Sequence, residues 1–162
     1  MKTALEALME TSQNEHKRLI QIEQEKDKCR DISFKTATMW CEGIIQEQID
    51  HAIQNRQTCI TITLMSDIIS FKSGSRYQCW KMIPSSHWDR GIYNRNARGY
   101  YEIPKREGFV INPLEIINIL QEAGYGTRVI DTTVAQATSR TGKYADAIPA
   151  RDITISWNPV SI

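Results

Sequence analysis

Ile49-Asp50-His51-Ala52-Ile53-Gln54-Asn55, followed closely by Cys59-Ile60-Thr61-Ile62-Thr63-Leu64, is the stretch on which the fold turns. Up to Ala52, the residues Phe34, Ala37, Cys41, Ile44, Ile45, Gln48, Ile49 and Ala52 recur near a 3.6-residue period, the stripe of a core helix. Asp31 or Ser33 is its expected N-cap and Asn55 its expected left-handed C-cap. Beyond the cap the period changes. Ile60, Ile62 and Leu64 alternate with Thr61 and Thr63, as in a strand with one buried face. A helix running straight into a strand makes a tight αβ unit.

Upstream, residues 3–30 contain neither glycine nor proline and predict a long, heavily charged helix. Leu5, Leu8, Leu19, Ile22 and Cys29 fall on one seven-residue a/d register, with Ser12, Glu15 and Lys26 in its other positions. A seam that is apolar at both ends and polar in the middle suits packing on a partner, or on its own domain, better than a self-sufficient zipper. The helix is too long for the remaining chain to cover end to end. Its expected partners are a second copy or another protein. The chain divides accordingly into an amphipathic helix over residues 1–31 and a single α+β domain over 32–162.

Residues 66–107 change texture and read as an insertion in that domain, with short strands at Tyr77–Ile83 and Tyr100–Ile103. Regular structure resumes at Phe109–Ile111. Asn112-Pro113 supplies an N-cap followed by proline at the first helical position. Leu114, Ile117 and Leu120 share a face of this helix, which Gly124 stops at Ala123. Thr127–Asp131 reads as a strand, Thr132–Ala150 as a loop, and Ile153, Ile155 and Trp157 as a final alternating strand, with Trp157 in core or sheet-edge packing. The fold class is α+β: a small mixed or antiparallel sheet with helices on one face and a long N-terminal helix.

A chain of 162 residues with 41% hydrophobic and 24% charged residues can bury one core, which excludes disordered and collagen-like classes. Its formal net charge of +1 gives no global attraction to a polyanion or a membrane. No apolar run reaches the roughly 20 residues needed to cross a bilayer, and no signal-peptide pattern opens the chain, so the expectation is a cytoplasmic protein without a membrane partner. Cys29, Cys41, Cys59 and Cys79 lie too far apart in sequence for a zinc knuckle and read as reduced, mostly buried thiols.

The near-neutral total hides an uneven distribution. The 66–107 insertion carries eight basic residues against four acidic ones, a net +4, leaving −3 on the remainder. Its cations are interleaved with tyrosines and tryptophans, the combination that binds a phosphate while stacking a base. The candidate ligand-binding residues are Arg76, Trp88, Arg90, Tyr93, Arg95, Arg98 and Tyr100. The bland alternative is that the aromatics anchor an irregular loop and the arginines solvate it. A duplex-binding protein is normally more basic overall, so a nucleotide or a single-stranded nucleic acid is the expected ligand class.

Other motifs carry less. Ser85-Ser86-His87-Trp88-Asp89 places hydroxyl, imidazole and carboxylate together in sequence, whereas catalytic triads are assembled in space. His16, His51 and His87 stand on separate elements and suggest no metal site. Thr141-Gly142-Lys143-Tyr144 lacks both the earlier glycine and the hydroxyl of a phosphate loop. No cofactor is implied and no catalytic residue stands out.

Three stretches carry a family likeness: Ile49-Asp50-His51-Ala52-Ile53 leading to Ile60-Thr61-Ile62, then Leu120-Gln121-Glu122-Ala123-Gly124-Tyr125, then Ile153-Thr154-Ile155-Ser156-Trp157. On these the chain from Glu47 to Trp157 resembles small α/β proteins common in tailed bacteriophages, with the basic insertion as a departure. The resemblance implies a viral origin and an assembly or host-interaction role, and it assigns no site. Taken together, these readings lead to a non-enzymatic oligomeric interaction protein. The alternative is an anion- or nucleotide-binding module working through the 66–107 insertion.

Overall fold

The computed structural model describes residues 1–83, 108–134 and 148–158. It begins with a single helix, α1, over Ala4–Trp40. Thr3 starts it with a reciprocal cap: its Oγ1 accepts from the Glu6 amide at 3.1 Å, and the Glu6 carboxylate accepts from the Thr3 amide at 3.0 Å. A π-helical turn at Cys41–Ile45 leads directly into α2, Gln46–Gln54. The helix does not stop at Asp31 or Ser33, so the expected second helix is a continuation of the first and neither residue is a cap. Ser33 is used differently. Its hydroxyl accepts from the Ile111 amide at 2.8 Å and donates to Glu115, tying α1 to the far side of the chain.

The buried stripe of this long helix explains the π turn. Cys29, Ser33, Ala37, Cys41, Ile45 and Ile49 are all buried at four-residue steps. At 3.6 residues per turn, such a stripe would wind steadily around a straight α-helix and leave the sheet. A turn closed by i→i+5 bonds holds extra residues and takes back part of that drift. Phe34, expected on the buried face, is 64% exposed because it follows Ser33 around the helix onto the solvent side.

Among the described residues the sheet has four strands, all antiparallel, in the order β2-β1-β4-β3: β1 Cys59–Ser70, β2 Arg76–Ile83, β3 Gly126–Val134 and β4 Ile148–Ser156. Strands β1 and β2 form a hairpin around Phe71–Ser75, closed by the Phe71 amide donating to the Ser75 carbonyl at 3.0 Å. The insertion therefore does not begin at Ser66. Residues 66–83 complete the sheet, with Tyr77–Ile83 in β2 as expected. Tyr100–Ile103 lies outside the described residues. Val110 pairs with Trp80 through two backbone bonds and widens the sheet at its β2 edge.

Helix α3, Leu114–Glu122, follows. Asn112 Oδ1 accepts from the Leu114 amide at 3.0 Å, the expected cap ahead of Pro113. Ile116, Ile117 and Leu120 are buried, while Leu114 stands exposed at the helix start, so Ile116 takes the place expected of Leu114. One sheet face, carrying Ile60, Ile62, Leu64, Trp80, Met82, Ile153 and Ile155, forms a single core with Ala37, Trp40, Cys41, Ile45 and Ile49 of the long helix and with the buried face of α3. Trp157 packs against this core and meets Tyr125 edge to face at 6.5 Å.

Gly108 lets α1 and the segment before α3 approach each other. It has a φ of +84°, and a Cβ placed there would lie 2.6 Å from Thr36 Oγ1. Only glycine accommodates both the backbone conformation and the contact.

Candidate interaction surfaces

The first surface is the N-terminal half of α1. The inward positions of α1 that touch the body begin at Glu25 and continue through Cys29, Ser33, Thr36, Ala37 and Trp40. Before them, every residue from Ala4 to Gln21 is exposed. At about 1.5 Å per residue this is an arm of roughly 27 Å standing clear of the sheet. Leu5, Leu8 and Leu19 on the a/d seam are more than half exposed, and Met9 and Ile20 beside them are 55% and 46% exposed. The arm is held helical by its cap and by surface pairs such as Glu15–Arg18 at 2.9 Å, contacts worth little individually. The Arg18 hydrogen bond and charge hold the Glu15 carboxyl below its ordinary value. Where the arm meets the body, Glu25 is buried and its Oε2 has no hydrogen-bond partner among the described residues. One turn on, the Cys29 thiol is pushed up, mainly by burial and then by the Glu25 charge.

The second surface lies on the face of the sheet that carries the core, farther along the β1–β2 hairpin. Alternate residues along the β1–β2 hairpin pass from Leu64 and Trp80 in the core to Ser66, Ile68, Gln78 and Arg76, which line an open groove of about 280 Å³. Ser66 Oγ accepts from Gln78 Nε2 at 3.1 Å across the hairpin. The Arg76 side chain makes no hydrogen bond or ion pair among the described residues. Beside the groove, the Arg151 guanidinium sits 4.7 Å above the Trp80 ring, and its Nε lies 3.3 Å from Asp131.

Of the seven candidate ligand-binding residues, the structure places Arg76. Trp88, Arg90, Tyr93, Arg95, Arg98 and Tyr100 lie outside the described residues, as do His87 and the 141–144 motif. The insertion's other described aromatics are structural: Trp80 belongs to the core, and Tyr77 meets Phe71 edge to face at 5.6 Å. Lys81 is committed to Asp67 at 2.7 Å, and the pull of Lys81 and the Ile68 amide on the Asp67 carboxylate outweighs burial and lowers its pKa. Sequence reading missed Arg151 and Asp131. The alternation of Ile153 and Ile155, extended two residues back, puts Arg151 on the core face and marks it as a cation that needs a partner there.

Among the described residues, no group of three metal-ligating side chains comes together and no helix is long and apolar enough to cross a membrane. Comparison of the chain with protein-family models, with curated proteins and with solved structures finds no match.

Proposed function

We propose that this chain is a non-enzymatic interaction protein that self-assembles through the N-terminal half of α1. The observation that carries this reading is the coincidence of the a/d seam with full exposure: Leu5, Leu8 and Leu19 line one side of a helical segment with no side chain buried against the body. Two apolar patches, separated by Ser12 and Glu15 along one seam of a helix held away from its own core, mark an association surface. The resemblance to tailed-phage proteins supplies a setting for such a role, either in virion assembly or in binding a host factor.

The expected complex is weak. Burying a leucine or isoleucine fully stabilises by about 1.5–3 kcal/mol, and each copy offers four seam positions. Association costs about 4–15 kcal/mol in lost freedom, and the polar centre of the seam adds nothing apolar. Assembly should therefore depend on concentration. Light scattering and sedimentation from micromolar to millimolar protein should show it in the natural chain, and the double variant Leu8→Glu, Leu19→Glu should remain monomeric with an unchanged circular dichroism spectrum. A natural chain that stays monomeric over the whole range defeats the proposal.

Arg76 favours a second reading. A guanidinium with no side-chain partner among the described residues, lining a groove with Ser66 and Gln78, offers donors to an anion. Thermal-shift measurements with linear and cyclic nucleotides test it, because a ligand that binds the folded state raises the melting temperature by mass action. The expected shift is lost in Arg76→Ala. Absence of any shift, together with no retardation of single-stranded DNA or RNA at low salt, removes this reading.

A further inference from the structure

We infer that the partner of α1 is a second copy of this chain, bound antiparallel about a two-fold axis beside Gln13 and Asn14, an inference that rests on the arm being the association surface. Three features of the arm select this arrangement. The first is the spacing of the seam. Reversing one helix on the other places Leu5 opposite the partner's Ile22, Leu8 opposite the partner's Leu19, and Ser12 opposite the partner's Glu15. Every apolar seam position then meets an apolar one, and the two polar positions meet each other at the centre. Each contact recurs on the other side of the axis, as a closed two-fold interface requires.

The second feature is charge. From Ala4 to Glu15 the arm carries Glu6, Glu10 and Glu15 and no cation, whereas from His16 to Ile22 it carries Lys17 and Arg18 and no carboxylate. Antiparallel pairing lays the basic stretch of each copy along the Glu6 and Glu10 stretch of the other. Parallel pairing stacks acid on acid and base on base, and it brings the two Glu15 side chains face to face in the seam. Like charges placed together select against that arrangement.

The third feature is reach. In the antiparallel register Ala4, the first residue of α1, lies opposite the partner's Glu23, just before Glu25, where α1 begins to bury side chains against its own body. The helical overlap takes in the fully exposed stretch up to Gln21 and the half-buried Ile22, and it stops short of the buried Glu25.

Disulfide trapping in the full-length chain tests orientation separately from association. In a Cys59→Ser background, which removes the exposed thiol, Leu8→Cys and Leu19→Cys proteins are prepared individually. They are mixed in a glutathione redox buffer at a concentration where light scattering shows the dimer. Both positions are exposed, so the substitutions leave the body intact. The mixed disulfide between the two variants should exceed either homodisulfide roughly tenfold or more, since bridging needs Cβ atoms in close register. Homodisulfides in equal or greater yield, or no disulfide in a protein that scatters as a dimer, overturn the antiparallel register and leave the arm as an interface. A chain that is monomeric throughout overturns both.

Discussion

At the scale of single residues, the two short helix ends of this fold use the same device with different success. After α3, the Tyr125 amide donates to the Leu120 carbonyl at 3.0 Å and the Gly124 amide to the Gln121 carbonyl at 3.0 Å, with Gly124 at a φ of +93°. After α2, the Gln57 amide donates to the Ala52 carbonyl at 2.8 Å and the Arg56 amide to the Ile53 carbonyl at 3.0 Å. Both are Schellman closures. In the second, however, the left-handed position belongs to Arg56 at a φ of +59°, and Asn55, expected there from sequence, stays at −91°. A side chain in this conformation costs about 1–2 kcal/mol, and glycine escapes that cost while losing about 0.5–1 kcal/mol to its freer unfolded chain. Arg56→Gly should therefore stabilise the protein by about 0.5–1 kcal/mol, a rise of roughly 2–4 °C per kcal/mol for a chain of this size. A lower melting temperature would show that the Arg56 side chain contributes more than the strain it imposes. The cap was legible to within one residue, because composition marks the turn and hydrogen-bond geometry chooses which residue takes it.

At the scale of elements, the sequence reads well where one period governs and poorly where partners come from far away. The Ile/Thr alternation of β1, the Ile153–Ile155 pattern of β4 and the Asn112-Pro113 start of α3 are local signals, and each marks its element. But β3 and β4 extend through Thr132–Val134 and Ile148–Ala150 into the stretch read as a loop, where apolar alternation is lost and backbone pairing continues, and β4 ends before Trp157. The unbroken path of α1 through Asp31 and Ser33 was not legible, because the hydroxyl that reads as a cap is held by Ile111 and Glu115, some 80 positions on. The hairpin past Ser66 was hidden for a related reason: Asp67, Gln78 and Lys81 satisfy one another or face solvent, so apolar alternation fades while the pairing continues. Of the candidate ligand site, Arg76 alone lies among the described residues, and the groove it lines arises from strand register rather than from sequence neighbours. Packing of these elements also sets thiol chemistry. Burial pushes Cys41 in the π turn up to about 11, with Glu42 adding to it, and burial with Asp67 does the same for Cys79 in β2. An unfolded thiol loses its proton near the ordinary value of 9.0, so between roughly that pH and 11 the unfolded chain sheds protons that the folded chain retains. The stability these thiols lend is complete below pH 9 and is lost as the pH rises through 11. Urea titrations at pH 8, 9.5 and 11 should show a midpoint that falls with pH and a weaker fall in Cys41→Ala, Cys79→Ala. An equal fall in that variant would assign the alkaline loss to other groups.

At the scale of the whole molecule, stability and association reside in different parts of one helix. Beyond Glu25, α1 is bound into the core through Ala37, Trp40 and Cys41, and it is anchored to the α3 segment through Ser33 and the Thr36–Gly108 contact. Before Glu25, the residues from Ala4 to Gln21 contribute no buried side chain, and their capping and ion pairs are internal to the arm. Removing residues 1–21 therefore deletes a self-contained length of helix and leaves the core intact. The new helix end exposes its first amide groups, as any helix start does, at a cost of about 1 kcal/mol where a cap is lost. At protein concentrations too low for assembly, the shortened chain should unfold within about 1 kcal/mol of the natural one by urea titration, with the same denaturant slope per unit of buried surface. At high concentration the two should diverge. The natural chain should gain apparent stability with concentration, because association favours the folded state by mass action, and the shortened chain should not. A large loss of stability at low concentration would place part of the core's support in the arm. A concentration dependence that survives the deletion would move the interface elsewhere on the molecule, with the Arg76 groove and the adjoining sheet surface next in line.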